Sequence, residues 1–233
     1  MNNEIKNKYP EWINNDKKYY MCLTDDLDSL FGCLLLQQIK GYEISHFYSF
    51  SNLYRADGYK TNVKLCGIDM DLCKGRCWGN HVTLSKNSKS ANLNVIENIN
   101  QNNYYSKYCG SVLLQIISYY DYDISMLSEE AKMVLLCVDS TYLMYDFNQS
   151  NCKHWLVDIL ELPELYDLCK EHTREDFKKL IDKYNLKKKI FVNENDELKT
   201  GLDLNGLTEL FNLSFILPEN MFTEIETYTD KGM

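Results

Sequence analysis

Apolar side chains recur at helical spacing through Leu27, Leu30, Phe31, Leu34, Leu35 and Ile39, and Gly41 follows as a stop. This pattern predicts an amphipathic helix over 27–39. A short apolar run before it, Tyr19–Leu23, reads as a strand, and further strand-like runs cover Ile44–Phe50 and Val63–Asp69. Helical spacing returns at Val112, Leu113, Ile116, Ile117 and Tyr120, predicting a helix over 108–120 opened by Cys109-Gly110-Ser111. Another helix is expected from Ser128 to Cys137, with Ser128 as its cap and Glu129 and Glu130 in the first turn. Strands alternating with helices predict a doubly wound α/β fold, built on a mainly parallel sheet with helices on its faces.

Between Asp71 and Asn103 periodicity is lost, and irregular structure around a site is expected. Beyond residue 150 the pattern predicts helices over 154–170 and 173–184, a short strand over 189–192, a short helix over 204–213 and a last strand over 213–217. The expected organisation is therefore an α/β domain over 1–150 followed by a smaller α-rich subdomain or lid over 151–233. Residues 1–17 are expected to be a loose lead-in pinned by Trp12.

Composition narrows the function. With 34 acidic against 25 basic residues the net charge is −9, which argues against a broad grip on duplex phosphates, since that affinity comes from Lys and Arg. A small phosphorylated ligand held through metal ions remains compatible. Lys187-Lys188-Lys189 is the compact basic run, expected to be a solvated turn before a strand. Residues 1–6 carry no apolar signal core, and the apolar run Leu30–Leu36 is far short of the ~20 residues that span a bilayer. Several of the nine cysteines lie inside apolar runs as small hydrophobes. A soluble protein of a reducing cytoplasm is expected.

Candidate chemistry concentrates where strands end. Asp25, Asp26 and Asp28 lie where the first strand gives way to its helix, and Asp69 and Asp71 end a second strand. In an open parallel sheet the ligand crevice lies beyond the carboxyl ends of the strands, so these carboxylates read as metal ligands. The competing reading is a helix cap for Asp26 or Asp28 and a turn residue for Asp69. His81 adds an imidazole, and Asp139, after the apolar run Met133–Val138, is unfavourable as the end of a helix. A rival grouping of Cys66, Cys73, Cys77 and His81, with six, three and three intervening residues, is a Cys₃His zinc knuckle. His46, His154 and His172 read as structural hydrogen-bonders.

Taken in order, Asp26-Leu27-Asp28-Ser29, Gly67-Ile68-Asp69, Gly79-Asn80-His81, Cys109-Gly110-Ser111 and Asp139-Ser140-Thr141 resemble the motifs of the DHH phosphoesterases over residues 19–145. The resemblance implies a doubly wound domain with two Mn²⁺ ions, Mg²⁺ or Zn²⁺ being alternatives. It assigns Asp26, Asp28, Asp69, His81 and Asp139 to the metals, with Asp69 bridging and both Asp69 and His81 catalytic. The chain departs from the family where the first-motif His is Cys22, where Asp-His-His is Gly79-Asn80-His81, where Cys137-Val138 precedes Asp139, and in lacking a Gly-Gly-Gly-His motif after residue 150.

The function implied is metal-dependent hydrolysis of a small nucleotide, a phosphodiester or a short single-stranded oligonucleotide. The alternative is a catalytically degenerate relative that binds a nucleotide or a protein partner. No membrane or duplex DNA partner is expected.

Overall fold

A computed structural model describes residues 1–60 and 63–228 of the 233-residue chain. The chain is α/β, with a mostly parallel sheet of the doubly wound class that the sequence predicts. Its strands are β1 (Tyr20–Leu23), β2 (Glu43–Tyr48), β3 (Asn52–Ala56), β4 (Leu65–Ile68), β5 (Arg76–Trp78), β6 (Ser90–Ala91) and, near the end of the chain, β9 (Phe222–Thr227); β7 (Ile190–Val192) and β8 (Leu198–Thr200) form a separate hairpin. The seven strands run in the order β6-β5-β4-β1-β2-β3-β9. β6 through β2 are parallel, and β3 and β9 close one edge antiparallel.

The helices are α1 (Asn3–Lys6), α2 (Leu27–Lys40), α3 (Leu93–Ile96), α4 (Val112–Tyr119), α5 (Glu129–Cys137), α6 (Leu143–Phe147), α7 (Gln149–Lys153), α8 (Pro163–Glu171), α9 (Arg174–Lys183) and α10 (Leu204–Phe211). α2 starts where Asp26 accepts the Ser29 amide and ends at Gly41, whose φ of 64° is free to a residue without Cβ. It packs on α4, every residue of which is buried. Burying each of its large aliphatic side chains contributes roughly 1.5–3 kcal/mol. α4 is thus the central post of the core rather than a half-exposed covering helix.

Several expectations are corrected. Residues 1–17 are packed, not loose: Met1, Ile5, Tyr9, Trp12 and Ile13 are buried, and the terminal amine donates to the Ser118 carbonyl at 3.2 Å. Tyr9, Trp12, Tyr19, Trp78 and Tyr119 form one aromatic cluster, with ring centroids 4.7 to 6.5 Å apart. The span 71–103 contributes β5 and β6, strands too short to show a period.

The helix expected over 154–170 breaks before Pro163, which starts α8 at the one helical position where a missing N–H costs nothing. The strand expected over 213–217 does not form. Phe215 instead turns in against Phe31 at 4.7 Å, and the last strand is β9, whose exposed edge carries no alternation. The segment after residue 150 carries α8 to α10 and the β7–β8 hairpin, shares one apolar cluster with the first 150 residues, and returns β9 to the main sheet. Positions 229–233 of that segment lie outside the described residues.

Candidate functional site

β1 and β4 are neighbouring parallel strands, with Tyr20 opposite Leu65 and Cys22 opposite Gly67. From β1 the chain passes through α2 to β2 on one side, and from β4 it passes to β5 and β6 on the other. A crevice opens at such a reversal, beyond the carboxyl ends of the two strands. Ser29 holds the two exits together: its hydroxyl accepts the Thr24 amide and donates to the Ile68 carbonyl, both at 2.8 Å.

One cavity of about 570 Å³ lies there, lined by Asp26, Asp69, Asp71, His81 and Asp139 with Tyr48, Phe50 and two apolar residues. Four of the five residues singled out by sequence thus meet at one place. Asp69 and Asp139 both sit in left-handed backbone, φ 56° and 49°, and Ser140 follows at 55°. Asp tolerates this region better than most residues, but such positions cost on the order of 1–3 kcal/mol and persist where surrounding structure imposes them.

Asp28, the fifth residue, lies beside them in a recess it shares with Asp26 and Asp139. It is 2% exposed, and its two carboxylate oxygens accept the Val112 and Leu113 amides at 2.7 Å each. Ser111 takes the Leu114 amide, so the first turn of α4 is fully capped. Asp28 thus both caps the buried start of the central helix and lines that recess. Asp26 combines both readings, capping α2 through one oxygen while lining the cavity.

The segment that carries His81 is held by amide side chains. The carbonyls of Gly79, Asn80 and His81 accept from Gln115, Asn94 and Asn92 at 2.9, 2.6 and 2.8 Å, and all three donors are fully buried. The Asn80 side-chain amide donates to Asp139 at 2.7 Å and to the Gly110 carbonyl at 3.1 Å, and its buried side-chain oxygen Oδ1 has no partner among the described residues. His81 Nδ1 lies 2.7 Å from Asp71 Oδ2, while the other Asp71 oxygen accepts from Asn92. An added Cβ on Gly79 would overlap Asp71 Oδ1 and stand 2.8 Å from the Met70 carbonyl. The Asp71 carboxylate fills the space of the side chain that residue 79 lacks.

Two lysines reach the same cluster. Lys189 Nζ lies 2.8 Å from Asp25 Oδ1, and Lys187 Nζ donates to Ser140 Oγ at 2.7 Å. The Ile190 amide donates to the Asp25 carbonyl at 2.7 Å, docking β7 on the loop after β1. The basic run is the exposed turn before β7 that the sequence predicts, and two of its lysines also reach the acidic residues. A compact basic run in an otherwise acidic chain was the signal. Asp71 was legible as a carboxylate at a strand end but not as the partner of His81, and the supporting amides had no signal, because amide side chains are common in loops.

Burial first, and then the Asp26 and Asp139 carboxylates, push the Asp69 pKa up to about 8. Asp139 is raised by burial and Asp26, against the Asn80 hydrogen bond and the charges of His81 and Lys187. Asp28 is raised by burial and by Asp69, Asp139 and Asp26. The hydrogen bond to Asp71 lifts His81 above the usual imidazole value. These are the signs of a carboxylate cluster short of positive charge.

The zinc knuckle is not formed. Cys66 and Cys77 are buried in adjacent strands, Cys73 is exposed, and His81 is paired with Asp71. Of the other histidines, His46 is buried against Ser45 and pushed down to about 4 by burial and Arg55, while His154 and His172 face Asp158 and Glu129.

Among the described residues, no group of three or more His, Cys, Asp or Glu side chains is placed to hold a metal ion. The carboxylates that an ion in this cavity would meet are Asp26, Asp69 and Asp139. Hard oxygens of this kind fit Mn²⁺ or Mg²⁺, whose shells waters and phosphate oxygens complete, better than Zn²⁺. No helix among the described residues is long and apolar enough to cross a membrane. No protein-family model, curated protein or solved structure matches the chain.

Proposed function

We propose that this chain is a metal-dependent phosphoesterase, a divergent relative of the DHH phosphoesterases, that hydrolyses a small nucleotide, a phosphodiester or a short single-stranded oligonucleotide. The observation that carries this reading is the convergence of Asp26, Asp69, Asp139 and His81, from four separate stretches of chain, on one cavity at the sheet's reversal point. Asp26, Asp69 and Asp139 would hold a divalent cation, Mn²⁺ or Mg²⁺. Such a cation supplies an activated water and neutralises charge on the departing oxygen.

The chain's own residues do the rest. Asp71 fixes His81 through Nδ1 and favours its protonated form, which leaves Nε2 to donate to a phosphoryl or leaving-group oxygen. Tyr48 and Phe50 add ring surface beside the carboxylates. Asp71 also supports the family likeness, since its carboxylate fills the place of the missing motif side chain at Gly79. Nine free thiols agree with a reducing cytoplasm as the setting.

One observation favours the second reading, a degenerate relative that binds without hydrolysing. The Lys189 ammonium already pairs with Asp25 and Asp26, and an amide, Asn80, rather than an imidazole faces Asp139. Mn²⁺-dependent hydrolysis of bis(p-nitrophenyl) phosphate and a panel of dinucleotides separates the two. We expect turnover that Asp69→Asn lowers at least about 100-fold, the scale of removing one preorganised charge-stabilising group. Undiminished turnover in Asp69→Asn, or none in the wild type, overturns the enzyme reading.

A further inference from the structure

We propose that the groove beside the acidic cavity is a ring-stacking subsite that takes the base of a nucleotide whose phosphate lies at Asp69 and Asp139. This inference rests on the phosphoesterase reading for the position of the phosphate and on a separate surface for the base. The groove has a volume of about 590 Å³, and Tyr104, Tyr105, Lys107, Leu143 and Phe147 line it. That is within the roughly 300–1,000 Å³ of small-molecule sites.

Asp139 and Ser140 lie on the groove's inner wall, so it begins where the acidic cavity ends. A smaller recess lined by His81, Tyr104, Lys107 and Asp139 shares residues with both. Base and phosphate of one ligand can therefore lie on either side of Asp139.

The side chains specify the ligand's chemistry. Tyr104, Tyr105 and Phe147 are 49%, 70% and 81% exposed, so three solvent-accessible rings surround one depression. An aromatic face stacks any nucleobase, at about 1–3 kcal/mol per base, without reading its edge. Lys107 stands over the Tyr104 ring at 4.4 Å from its centroid and donates to the Tyr104 hydroxyl at 2.7 Å. That contact fixes an ammonium at the rim, where a ligand carrying both a ring and an anion gains from each. A purely apolar occupant, such as a second copy of this face, would bury Lys107 and Asp139 without compensation.

The experiment titrates the full chain with AMP, dithymidylate, ribose 5-phosphate and inorganic phosphate, each with Mn²⁺ and with EDTA, by calorimetry. We expect a base-bearing ligand to bind at least tenfold tighter than ribose 5-phosphate. Preference for AMP identifies a mononucleotide, and preference for dithymidylate a strand end. In a Tyr105→Ala/Phe147→Ala double variant, nucleotide and sugar phosphate should bind alike. Both positions are largely exposed, so the fold should tolerate the change, which circular dichroism checks. Equal binding of AMP, dithymidylate and ribose 5-phosphate by the wild type overturns the inference, as does a double variant that keeps the preference. A double variant that loses self-association instead of nucleotide affinity also overturns it. Base-dependent binding without any hydrolysis would sink the phosphoesterase reading and leave this one standing. Hydrolysis that is indifferent to the base would do the reverse.

Discussion

The Lys189 ammonium stands 3.4 Å from Asp26 Oδ2, joining a lysine to one of the cavity's carboxylates across 163 residues of sequence. A fixed cation at that carboxylate competes with a divalent ion for the same charge. Lys189→Met should therefore enlarge the rise in melting temperature that Mn²⁺ produces. Without metal it should cost at most about 1 kcal/mol, because the lysine is largely exposed and such pairs are well screened. Thermal denaturation at matched Mn²⁺ concentrations measures both effects. A metal-induced rise no larger than in the wild type would show that Lys189 does not compete.

Asp28 should behave as a structural residue. Asp28→Ala leaves two buried amides of α4 unpaired and should destabilise the fold by about 2–5 kcal/mol, whereas Asp28→Asn, which keeps one acceptor, should cost clearly less. Urea denaturation supplies the numbers. An alanine variant within 0.5 kcal/mol or so of the wild type would be incompatible with this capping role.

Without metal, stability should fall as pH rises from about 4 to about 8. The folded Asp69 carboxyl keeps its proton up to about 8, while the unfolded chain releases it near 3.8, the ordinary value for Asp. The folded state therefore binds more protons across this window, and its advantage is lost as pH climbs through the folded pKa. The slope is at most about 1.4 kcal/mol per pH unit for one proton. Melting curves in EDTA should show this decline, and Asp69→Asn should flatten it. A wild-type stability that climbs through the same window would contradict the protonated Asp69.

Asp71 should act through His81. Because its hydrogen bond raises the imidazole pKa, Asp71→Asn should move the alkaline limb of the pH–rate profile to lower pH, the protonated ring being lost earlier. His81→Ala should remove that limb and lower kcat roughly 100-fold or more. Identical limbs in wild type and Asp71→Asn would mean that the pair only shapes the loop.

Gly79→Ala should destabilise by about 1–3 kcal/mol, since its Cβ meets both the Asp71 carboxylate and the Met70 backbone carbonyl. Chemical denaturation tests this, and a neutral variant would show that Asp71 can move aside freely.

The sequence by itself determined the β1-α2-β2 unit, the helices α4 and α5, the latter with its Ser128 cap, and the placing of Asp26 and Asp69 at strand ends, while the start of α4 falls at Ser111 rather than at 108. Helical periodicity, capping chemistry and strand punctuation are local, and they survive into the folded chain. Only tertiary structure decided what lies across from what. β5 and β6 exist because the sheet offers them partners, and β9 because β3 leaves an edge to pair. Asp28 became the cap of α4 because the amides at the start of that buried helix needed an acceptor. The pairing of Lys189 with Asp25 and of Asp71 with His81 is announced by no spacing, since electrostatic and packing partners are chosen by distance in space rather than along the chain.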